Sequence, residues 1–366
     1  MHPPAGGPIL CLAPMADVTD VAFRHIISKY SNIPHVTYTE FVSADGLMKA
    51  PEAGRKKLLK DLEYSEIERP IVAQFFTSKP EMMEKAAALA VELGFDGVDI
   101  NMGCPDKSIE KQGAGAALIK NPKLAREIIA AAKVGIAEAA KKLNKEEIPV
   151  SIKTRIGYNK DELETWLSEL LSENPAAIVI HARTRKEMSK VPARWERIKR
   201  AVEIRNELQD SLEPQPMKCL ASLTEASTRK NSAEFYPCIS EAVVKKNHTI
   251  IIGNGDVTGI DDAKRKCEES GADGAMLGRA VFGNPWLFAN YKPTITERLQ
   301  VLVEHTNLFE EKLGGLKNFA IMKKHFKEYL RDSNLRDLKF KLMRTENAGE
   351  VEEIINDFLS NLLAMK

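Results

Sequence analysis

The sequence predicts an α/β fold, a TIM (β/α)8 barrel, followed by a C-terminal all-helical domain. Short runs rich in Val and Ile recur along the chain, and each precedes a longer segment whose apolar residues have helical spacing. This alternation is typical of a parallel sheet wrapped by helices. Eight such units fit a closed barrel of roughly 250 residues better than an open doubly wound sheet.

The predicted strands are short, and polar or glycine-rich residues follow nearly all of them. In a barrel these endings lie together at the carboxyl edge of the sheet, where barrel enzymes build their active sites. The sequence therefore predicts that the chemistry lies at this edge. The strands are predicted at residues 9–13, 35–39, 71–76, 97–101, 149–155, 176–181, 249–254 and 273–278.

Two segments depart from the repeating pattern. Residues 203–247 lie between the sixth helix and the seventh strand, where a few residues would suffice, and we interpret them as an insertion. After Pro293 no strand-like run follows and the pattern turns helical. The predicted domains are thus a catalytic barrel at residues 1–292, insertion included, and a helical domain at residues 293–366. In the second domain, helices are predicted at residues 294–313, 317–330, 335–343 and 349–363.

The composition argues against several classes of protein. Five cysteines without a CxxC pair resemble neither a disulfide framework nor a zinc site, which predicts a reducing, cytoplasmic location and no metal. No stretch approaches the roughly 18 apolar residues of a membrane span, so we expect no membrane association. The net charge of +1 gives no global attraction to polyanions, so a nucleic-acid surface requires local segregation of charge. We expect a monomer.

The most informative segment follows the fourth strand and reads Asp99-Ile-Asn-Met-Gly-Cys-Pro105. Gly103 lets the backbone turn closely, and Pro105 fixes the exit from the turn. A thiol with an ordinary pKa of about 8.5 is mostly protonated at neutral pH. Cys104 is therefore a candidate proton donor to a carbon atom that develops negative charge. The alternative is a buried cysteine that packs as a small apolar residue.

Two glycine-containing segments end the seventh and eighth strands, Ile251-Ile-Gly-Asn-Gly-Asp256 and Met276-Leu-Gly-Arg279. Loops after these strands of a barrel commonly hold a phosphate through backbone N–H groups, a helix N-terminus and sometimes an arginine. The phosphate of flavin mononucleotide would fit. Taken singly, each glycine is better explained by a tight strand–helix turn; taken together, they favour phosphate binding.

Other polar side chains end the remaining strands. Lys153 lies at an apolar strand end where an unpaired ammonium is costly, so it needs a partner such as a reduced flavin ring or, alternatively, a barrel carboxylate. His181 could donate to such a ring and Gln74 could pair with an imide edge, although both residues also fit structural roles. Arg183 and Arg185, just beyond His181, could contact phosphates.

Taken together, six segments resemble the dihydrouridine synthase family and occur in the order found there. No single segment is specific, but the ordered set is, and the resemblance covers the barrel and, more faintly, the helical tail. The segments are Ala13-Pro-Met-Ala-Asp17, Val72-Ala-Gln-Phe-Phe76, Asn101-Met-Gly-Cys-Pro105, His181-Ala-Arg-Thr-Arg185, Ile252-Gly-Asn-Gly-Asp256 and Leu277-Gly-Arg279.

In that family an FMN-containing barrel reduces uridine in folded transfer RNA, with NADPH as electron donor. The resemblance implies that hydride reaches carbon 6 of the uracil and that Cys104 protonates carbon 5, after the base is extruded into the barrel mouth. It also implies that Asn101 helps to hold the uracil. The implied flavin contacts are Pro14, Met15 and Ala16 through their backbone, Gln74 and Lys153 at the pyrimidine ring, His181 against the ring, and Asn254, Gly255, Asp256, Gly278 and Arg279 at the phosphate.

Positive charge is concentrated in the tail, as an RNA-binding surface requires. Lys323, Lys324 and Lys327 are the candidates for RNA contacts, and Met322-Lys-Lys-His325 resembles part of the family's tail. The alternative is a merely solvated helical face. Between Lys312 and Arg344 the basic residues are Lys317, Lys323, Lys324, Lys327, Arg331, Arg336, Lys339 and Lys341, against Glu328, Asp332 and Asp337.

Two other functions remain open at the level of sequence. The first is a small-molecule flavin reductase of the dihydroorotate dehydrogenase-like or ene-reductase type on the same fold. The basic tail and the Arg183 and Arg185 pair disfavour it, since a small substrate needs neither. The second is an RNA-binding protein whose barrel has lost catalysis, which the retention of Cys104 and Lys153 disfavours.

Overall fold

The barrel predicted from the strand–helix alternation is confirmed. The structure, a computed structural model, describes residues 7–33, 35–210, 248–289, 291–331 and 335–364. Its eight strands are parallel and form one sheet. They are β1 (Ile9–Leu12), β2 (Thr37–Ser43), β3 (Ile71–Phe76), β4 (Gly97–Asn101), β5 (Val150–Arg155), β6 (Ala177–His181), β7 (Ile250–Asn254) and β8 (Gly274–Leu277).

The strand order β1-β8-β7-β6-β5-β4-β3-β2 brings the two edges of the sheet together. Leu12 N–H donates to the carbonyl of Val36, and Val36 N–H donates to the carbonyl of Leu10, each at 2.8 Å. Val36 directly precedes β2, so these two bonds close the ring. Closure leaves the carboxyl ends of all eight strands around one mouth.

One strand is longer than its sequence predicts. The predicted strand at residues 35–39 extends in the structure to Ser43 and so includes Glu40. Burial of this carboxylate is possible because it receives the backbone N–H of Asp17 at 2.6 Å and pairs with Lys317 at 2.7 Å. A distant part of the chain therefore provides the partner of this buried carboxylate.

Helices follow the strands on the outside of the barrel. Their ends carry recognisable sequence signals: Asn121 caps the longest helix, Pro122 occupies its first turn, and Asn144 ends it in a left-handed conformation. The barrel helices are α1 (Val21–Tyr30), α2 (Ala44–Lys49), α3 (Glu52–Asp61), α4 (Pro80–Glu92), α5 (Lys107–Glu110), α6 (Pro122–Leu143), α7 (Leu163–Leu171), α8 (Trp195–Asp210) and α9 (Ile260–Ser270).

The first residues of the predicted insertion are helical. Helix α8 continues to Asp210 and so includes residues 203–210. Residues 211–247, with Cys219 and Cys238, lie outside the described residues.

The C-terminal segment is helical, as predicted. It contains α10 (Ile295–Leu313), α11 (Met322–Tyr329), α12 (Arg336–Leu342) and α13 (Ala348–Ala364). Helix α10 begins with a capping box in which Thr294 and Glu297 satisfy each other's backbone N–H groups. None of the helices that the structure describes is long and apolar enough to cross a membrane.

Apolar clusters hold these elements together. The barrel interior is filled by residues such as Cys11, Tyr38 and Val179, and a larger cluster lies between the strands and their helices. The C-terminal helices have a cluster of their own, which includes Val21 and Ile26 of α1. Helix α1 thus packs against the tail, which keeps the tail beside the barrel mouth.

Candidate active site

The pairing of neighbouring strands brings the predicted site residues together. Asn101 lies opposite Lys153, Arg155 lies opposite His181, and His181 in turn lies opposite Asn254. These side chains come from β4 to β7, and the strand ends place them in one row at the mouth. Parallel pairing therefore converts residues far apart in sequence into neighbours.

A buried network of amides and a carboxylate occupies the β3–β4 part of the mouth. Gln74 Nε2 donates to Asp99 Oδ2 at 2.7 Å, and Asn101 Nδ2 donates to Gln74 Oε1 at 2.9 Å. The second carboxylate oxygen of Asp99 accepts from Ser151 Oγ at 2.6 Å. Burial raises the pKa of Asp99 to about 6 against the opposing effect of these hydrogen bonds. The network fixes which way the amide of Gln74 points.

The same network fixes the turn that carries Cys104. The side-chain oxygen of Asn101 accepts the backbone N–H groups of Gly103 at 3.2 Å and Cys104 at 2.9 Å. The Cys104 carbonyl accepts from Ala116 N–H at 3.0 Å, which holds the far side of the turn. A Cβ at position 103 would approach the Thr154 backbone to 3.2 Å, so the glycine permits this close contact. Both amide ends of Asn101 are thus occupied within the protein.

The Cys104 thiol is partly exposed at the mouth. Burial raises its pKa above the ordinary value, while the nearby charges of Lys153 and Arg155 act in the opposite direction. The group is therefore protonated at neutral pH, as proton donation requires.

Lys153 and His181 lie in the mouth with few partners. The only hydrogen bond of the Lys153 ammonium to a described residue is a long one, 3.4 Å, to Asn254 Oδ1. Burial and the neighbouring Arg155 lower its pKa to about 8. The Nδ1 atom of His181 is buried and has no hydrogen-bond partner among the described residues. Burial, followed by the charge of Arg155, lowers the pKa of His181 well below its usual value, so the ring is neutral.

The β7 and β8 loops meet around Asp256. Its carboxylate pairs with Arg183, with Arg279 at 2.7 Å, and with the backbone N–H of Ala193 at 2.9 Å. The Arg183 hydrogen bond is the main reason that the pKa of Asp256 lies below its usual value. Gly255, with a φ of +119°, provides a backbone conformation that a larger residue rarely adopts. The guanidinium of Arg279, which follows Gly278, is exposed at this edge of the mouth.

The loop after β1 lies beside the loop after β8. Pro14 is buried, Met15 is partly exposed and Ala16 is exposed. The Met15 sulfur lies 3.6 Å from the position that a Cβ on Gly278 would take, so the β1 and β8 loops adjoin. Met15 N–H donates to Thr19 Oγ1 at 2.8 Å, which turns the chain into α1.

The two arginines after β6 are engaged within the protein. Arg183 is buried, pairs with Asp256, and donates through Nε to the Val191 carbonyl at 2.5 Å. Arg185 forms a two-pronged ion pair with Glu110 of α5, the short helix that follows Cys104. The guanidinium of Arg185 also lies 5.4 Å from the ring centre of Tyr158. Both arginines therefore have protein partners, and the phosphate contacts that the sequence suggests for them stay a prediction.

The lysines of the tail divide into two groups. The Lys317 side chain is only 9% exposed and pairs with Glu40 and Asp61, at 2.7 and 2.9 Å, so it holds the tail against the barrel. Lys324 is exposed and lies 3.4 Å from Asp17 beside the mouth. Lys327 is exposed and Lys323 is partly exposed, and neither pairs with a carboxylate among the described residues.

Sequence reasoning overlooked several residues that shape this site. Asp99 and Arg155 were assigned no role, although strand alternation places them on the same inward face as Asn101 and Lys153. Arg155 Nε donates to the Gly103 carbonyl at 2.8 Å and thereby joins the Cys104 turn to β5. The partnerships of Glu40 and Glu110 carry no comparable signal, because their partners lie far away in sequence.

The comparison with known proteins identifies the family of this chain. Residues 11–209 and 224–363 match the family described as dihydrouridine synthase (Dus), which leaves 210–223 unmatched inside the predicted insertion. A probable tRNA-dihydrouridine synthase of Staphylococcus aureus (strain MRSA252) is 33% identical over 356 residues, which cover 96% of this chain and 93% of that protein. Probable tRNA-dihydrouridine synthase 2 of Bacillus subtilis (strain 168) is also 33% identical over 356 residues, which cover 96% and 94%.

Solved structures with a related outline include morphinone reductase. It aligns with a TM-score of 0.41 and 12% identity over 77% of this chain and 84% of that one. These values are too low to bear on function, which rests on the family match and the named relatives. The chain belongs to the dihydrouridine synthase family.

Proposed function

We propose that this protein reduces specific uridines in transfer RNA to dihydrouridine, with FMN bound in the barrel mouth, NADPH as electron donor and Cys104 as proton donor. As a member of its family the chain is a flavin-dependent oxidoreductase. The observation that carries the proposal is a protonated thiol held at the mouth beside Lys153, which has one long hydrogen bond to a described residue, and the neutral His181, whose Nδ1 has none.

The residues present fit a flavin with a phosphate tail. Lys153 has only one long hydrogen bond and His181 Nδ1 has none within the described chain, so both can bind a ligand without breaking existing contacts. A reduced flavin ring carries negative charge at the edge that Lys153 would contact. Gln74 would bind the pyrimidine edge, and its amide is already oriented by Asp99.

The phosphate would bind at the rim formed by the β7 and β8 loops and by the backbone of Pro14, Met15 and Ala16. Arg279 has a free, exposed side for an anion, whereas the Asp256 carboxylate would repel one. We therefore assign to Asp256 the task of holding Arg279 and Arg183 in place. The backbone of Asn254, Gly255 and Gly278 would complete the site.

When bound, reduced flavin supplies hydride to the double bond between carbons 5 and 6 of the uracil. The task of the Cys104 thiol is to hold a proton until carbon 5 develops negative charge, and its raised pKa keeps that proton in place. Asn101 positions this thiol through the backbone of the turn and would turn one remaining amide hydrogen to the uracil. Arg185, which clamps α5 through Glu110, supports the same turn from its other end.

The C-terminal helical domain, residues 293–366, would bind the body of the transfer RNA. A stacked base cannot reach the mouth, so the target nucleotide must be extruded while the surrounding RNA is held. Lys323, Lys324 and Lys327 lie on α11, and Lys324 is beside Asp17 at the mouth. A monomer is sufficient for this arrangement, because every proposed contact comes from one chain. We propose that the protein acts in the cytoplasm.

The function is tested by incubating unmodified transfer RNA with purified protein, FMN and NADPH, followed by mass spectrometry. We expect one mapped uridine to gain the mass of two hydrogen atoms. No gain, in protein whose flavin is bound and reducible, would contradict the proposal. Turnover of a small enone or of dihydroorotate in the same preparation would then support the small-molecule reductase.

The RNA surface is tested by replacing Lys323, Lys324 and Lys327 together by Glu. We expect weaker binding of transfer RNA and a salt slope lower by about one per lysine, with flavin reduction by NADPH retained. Lys123, an exposed lysine on α6, provides a matched charge-reversal control. Unchanged affinity at several salt concentrations would contradict a role for α11.

A further inference from the structure

One apolar side chain on the tail is unusually exposed. Phe340 of α12 is 59% accessible, more than any other large apolar side chain among the described residues. The helix that carries it is well anchored, because Leu338 and Leu342 are buried in the C-terminal cluster. Phe340 therefore lies on the outer face of a fixed helix, which makes its exposure a property of the fold.

Positive charge surrounds this ring. The Arg344 guanidinium lies 4.1 Å from the ring centre in a cation–π contact. Arg336 lies one helical turn before Phe340, and Lys339 and Lys341 flank it. We call these five residues the Phe340 patch. Asp337 is the one acidic residue between positions 336 and 344.

The cations of the patch are also free of acidic partners. Neither Arg336, Lys339, Lys341 nor Arg344 forms an ion pair with a residue that the structure describes. Elsewhere on the surface arginines are commonly paired, as Arg265 is with Asp262 and Glu269. The patch thus combines uncompensated positive charge with an accessible aromatic face.

We propose that Phe340 stacks on an unpaired base of the substrate RNA while Arg336, Lys339, Lys341 and Arg344 contact the adjoining phosphates. Aromatic rings within a basic surface are how proteins bind single-stranded nucleic acid, because every base has a face that can stack. An exposed apolar ring alone would also suit a protein partner, but the unpaired cations favour a polyanion. The identity of the RNA rests on the proposed function, whereas the stacking contact is an additional site on it.

The experiment compares Phe340→Leu, which stays apolar but loses the aromatic face, with Phe340→Trp, which keeps it. Tyr291→Leu is the matched control, because Tyr291 is a 48% exposed aromatic residue outside the patch. The probes are unmodified transfer RNA, a short oligouridine and a blunt RNA duplex of equal length. Binding is measured at several salt concentrations, and thermal unfolding verifies that each variant is folded.

We expect Phe340→Leu to bind transfer RNA and oligouridine roughly 5- to 150-fold more weakly, as loss of one base stack predicts, with an unchanged salt slope. Duplex binding should not change, and Phe340→Trp and Tyr291→Leu should bind as the parent does. In turnover, Phe340→Leu should raise the KM for transfer RNA without lowering kcat.

Equal loss for the duplex and the oligouridine, or equal loss in Phe340→Trp, would overturn the stacking assignment. So would parental affinity of Phe340→Leu for both single-stranded probes, which would leave the patch to a protein partner. If the parent forms dihydrouridine while Phe340→Leu binds normally, the proposed function stands and only this inference fails. Absence of dihydrouridine in the parent is the separate failure of the proposed function.

Discussion

The two halves of the barrel mouth contain similar numbers of polar side chains but differ in the protein partners that those side chains have. In the amide half, formed by Gln74, Asp99, Asn101 and the Cys104 turn, the network groups have protein partners at 2.6–3.2 Å. In the cation half, formed by the charged Lys153, Arg155 and Arg279 and the neutral His181, the charges have few acidic partners. Asp256 is the carboxylate paired with Arg279, and no described carboxylate pairs with Lys153 or Arg155.

The difference separates two tasks within one site. A network whose donors and acceptors are satisfied is rigid, so the amide half can position the thiol before any ligand arrives. Cations that are removed from water without a carboxylate partner are costly, and desolvation lowers the pKa values of Lys153 and Arg155 accordingly. We therefore propose that an anionic ligand completes the cation half, whereas the amide half is complete in the protein alone.

The largest expected effect is on the chemical step, and it tests Cys104 separately from FMN binding. Cys104→Ala should lower uridine reduction by about 10²- to 10⁴-fold, the usual contribution of a positioned acid. FMN should stay bound, because the cation half is untouched. Single-turnover mass spectrometry and flavin absorbance measure the two properties. Cys267→Ala, which removes another buried thiol on α9, is the control, and parental turnover by Cys104→Ala would remove the proton-donor role.

The next effect tests the cation half. Lys153→Met should weaken FMN binding roughly 10- to 100-fold, because a charge-assisted contact worth about 1.5–3 kcal/mol is lost. The ligand-free protein should be no less stable than the parent, since the substitution removes an unpaired buried charge. Calorimetry of FMN binding and urea unfolding of the flavin-free protein measure these effects. A large loss of stability without FMN would show that Lys153 has a structural partner.

In the amide half we expect a smaller effect, which lowers stability more than it lowers FMN affinity. Asn101→Ala should destabilise the flavin-free protein by about 1–3 kcal/mol, because Gln74 Oε1 and two backbone N–H groups lose their partner. FMN affinity should change less than in Lys153→Met. Chemical unfolding and FMN titration provide the comparison. If Asn101→Ala left stability unchanged while abolishing FMN binding, the division between the two halves would be wrong.

The smallest effect is a dependence on pH. Burial lowers the pKa of Lys153 from 10.5 to about 8. Between these values the unfolded chain binds a proton that the folded chain does not, so the stability of the flavin-free protein rises with pH. This one group raises the free energy of unfolding by at most about 1.4 kcal/mol per pH unit. Below pH 8 both states bind the proton, so this slope disappears. Lys153→Met should lack that rise, and identical pH profiles would contradict the shift.

Much of this architecture is readable from local sequence. Strands β3 and β4 begin and end where their apolar runs predict, and the helical tail follows the predicted order. The residues that end the strands do meet at one mouth, because parallel closure leaves no alternative for them. Cys104, Lys153 and His181 could be found in this way, since their strands place them at the carboxyl edge.

The partners of these residues could not be found in the same way. Arg185 reads as a free cation in sequence, yet in the structure it pairs with Glu110, 75 positions away. Lys317 is predicted from sequence to be part of a basic surface, but in the structure it is mostly covered and pairs with Glu40 and Asp61. Charge in a sequence identifies a group that needs a partner, and only folding decides whether that partner is protein, water or ligand.

The sequence by itself determined the barrel, the helical tail, the family and the row of chemical groups at the mouth. It could do so because hydrophobic periodicity and strand ends are local properties that the chain fixes residue by residue, whereas the family follows from the resemblance of the six ordered segments. The tertiary structure decided which polar groups are satisfied and which remain available. That division depends on contacts between distant segments, and it separates the rigid support of Cys104 from the cations that await a ligand.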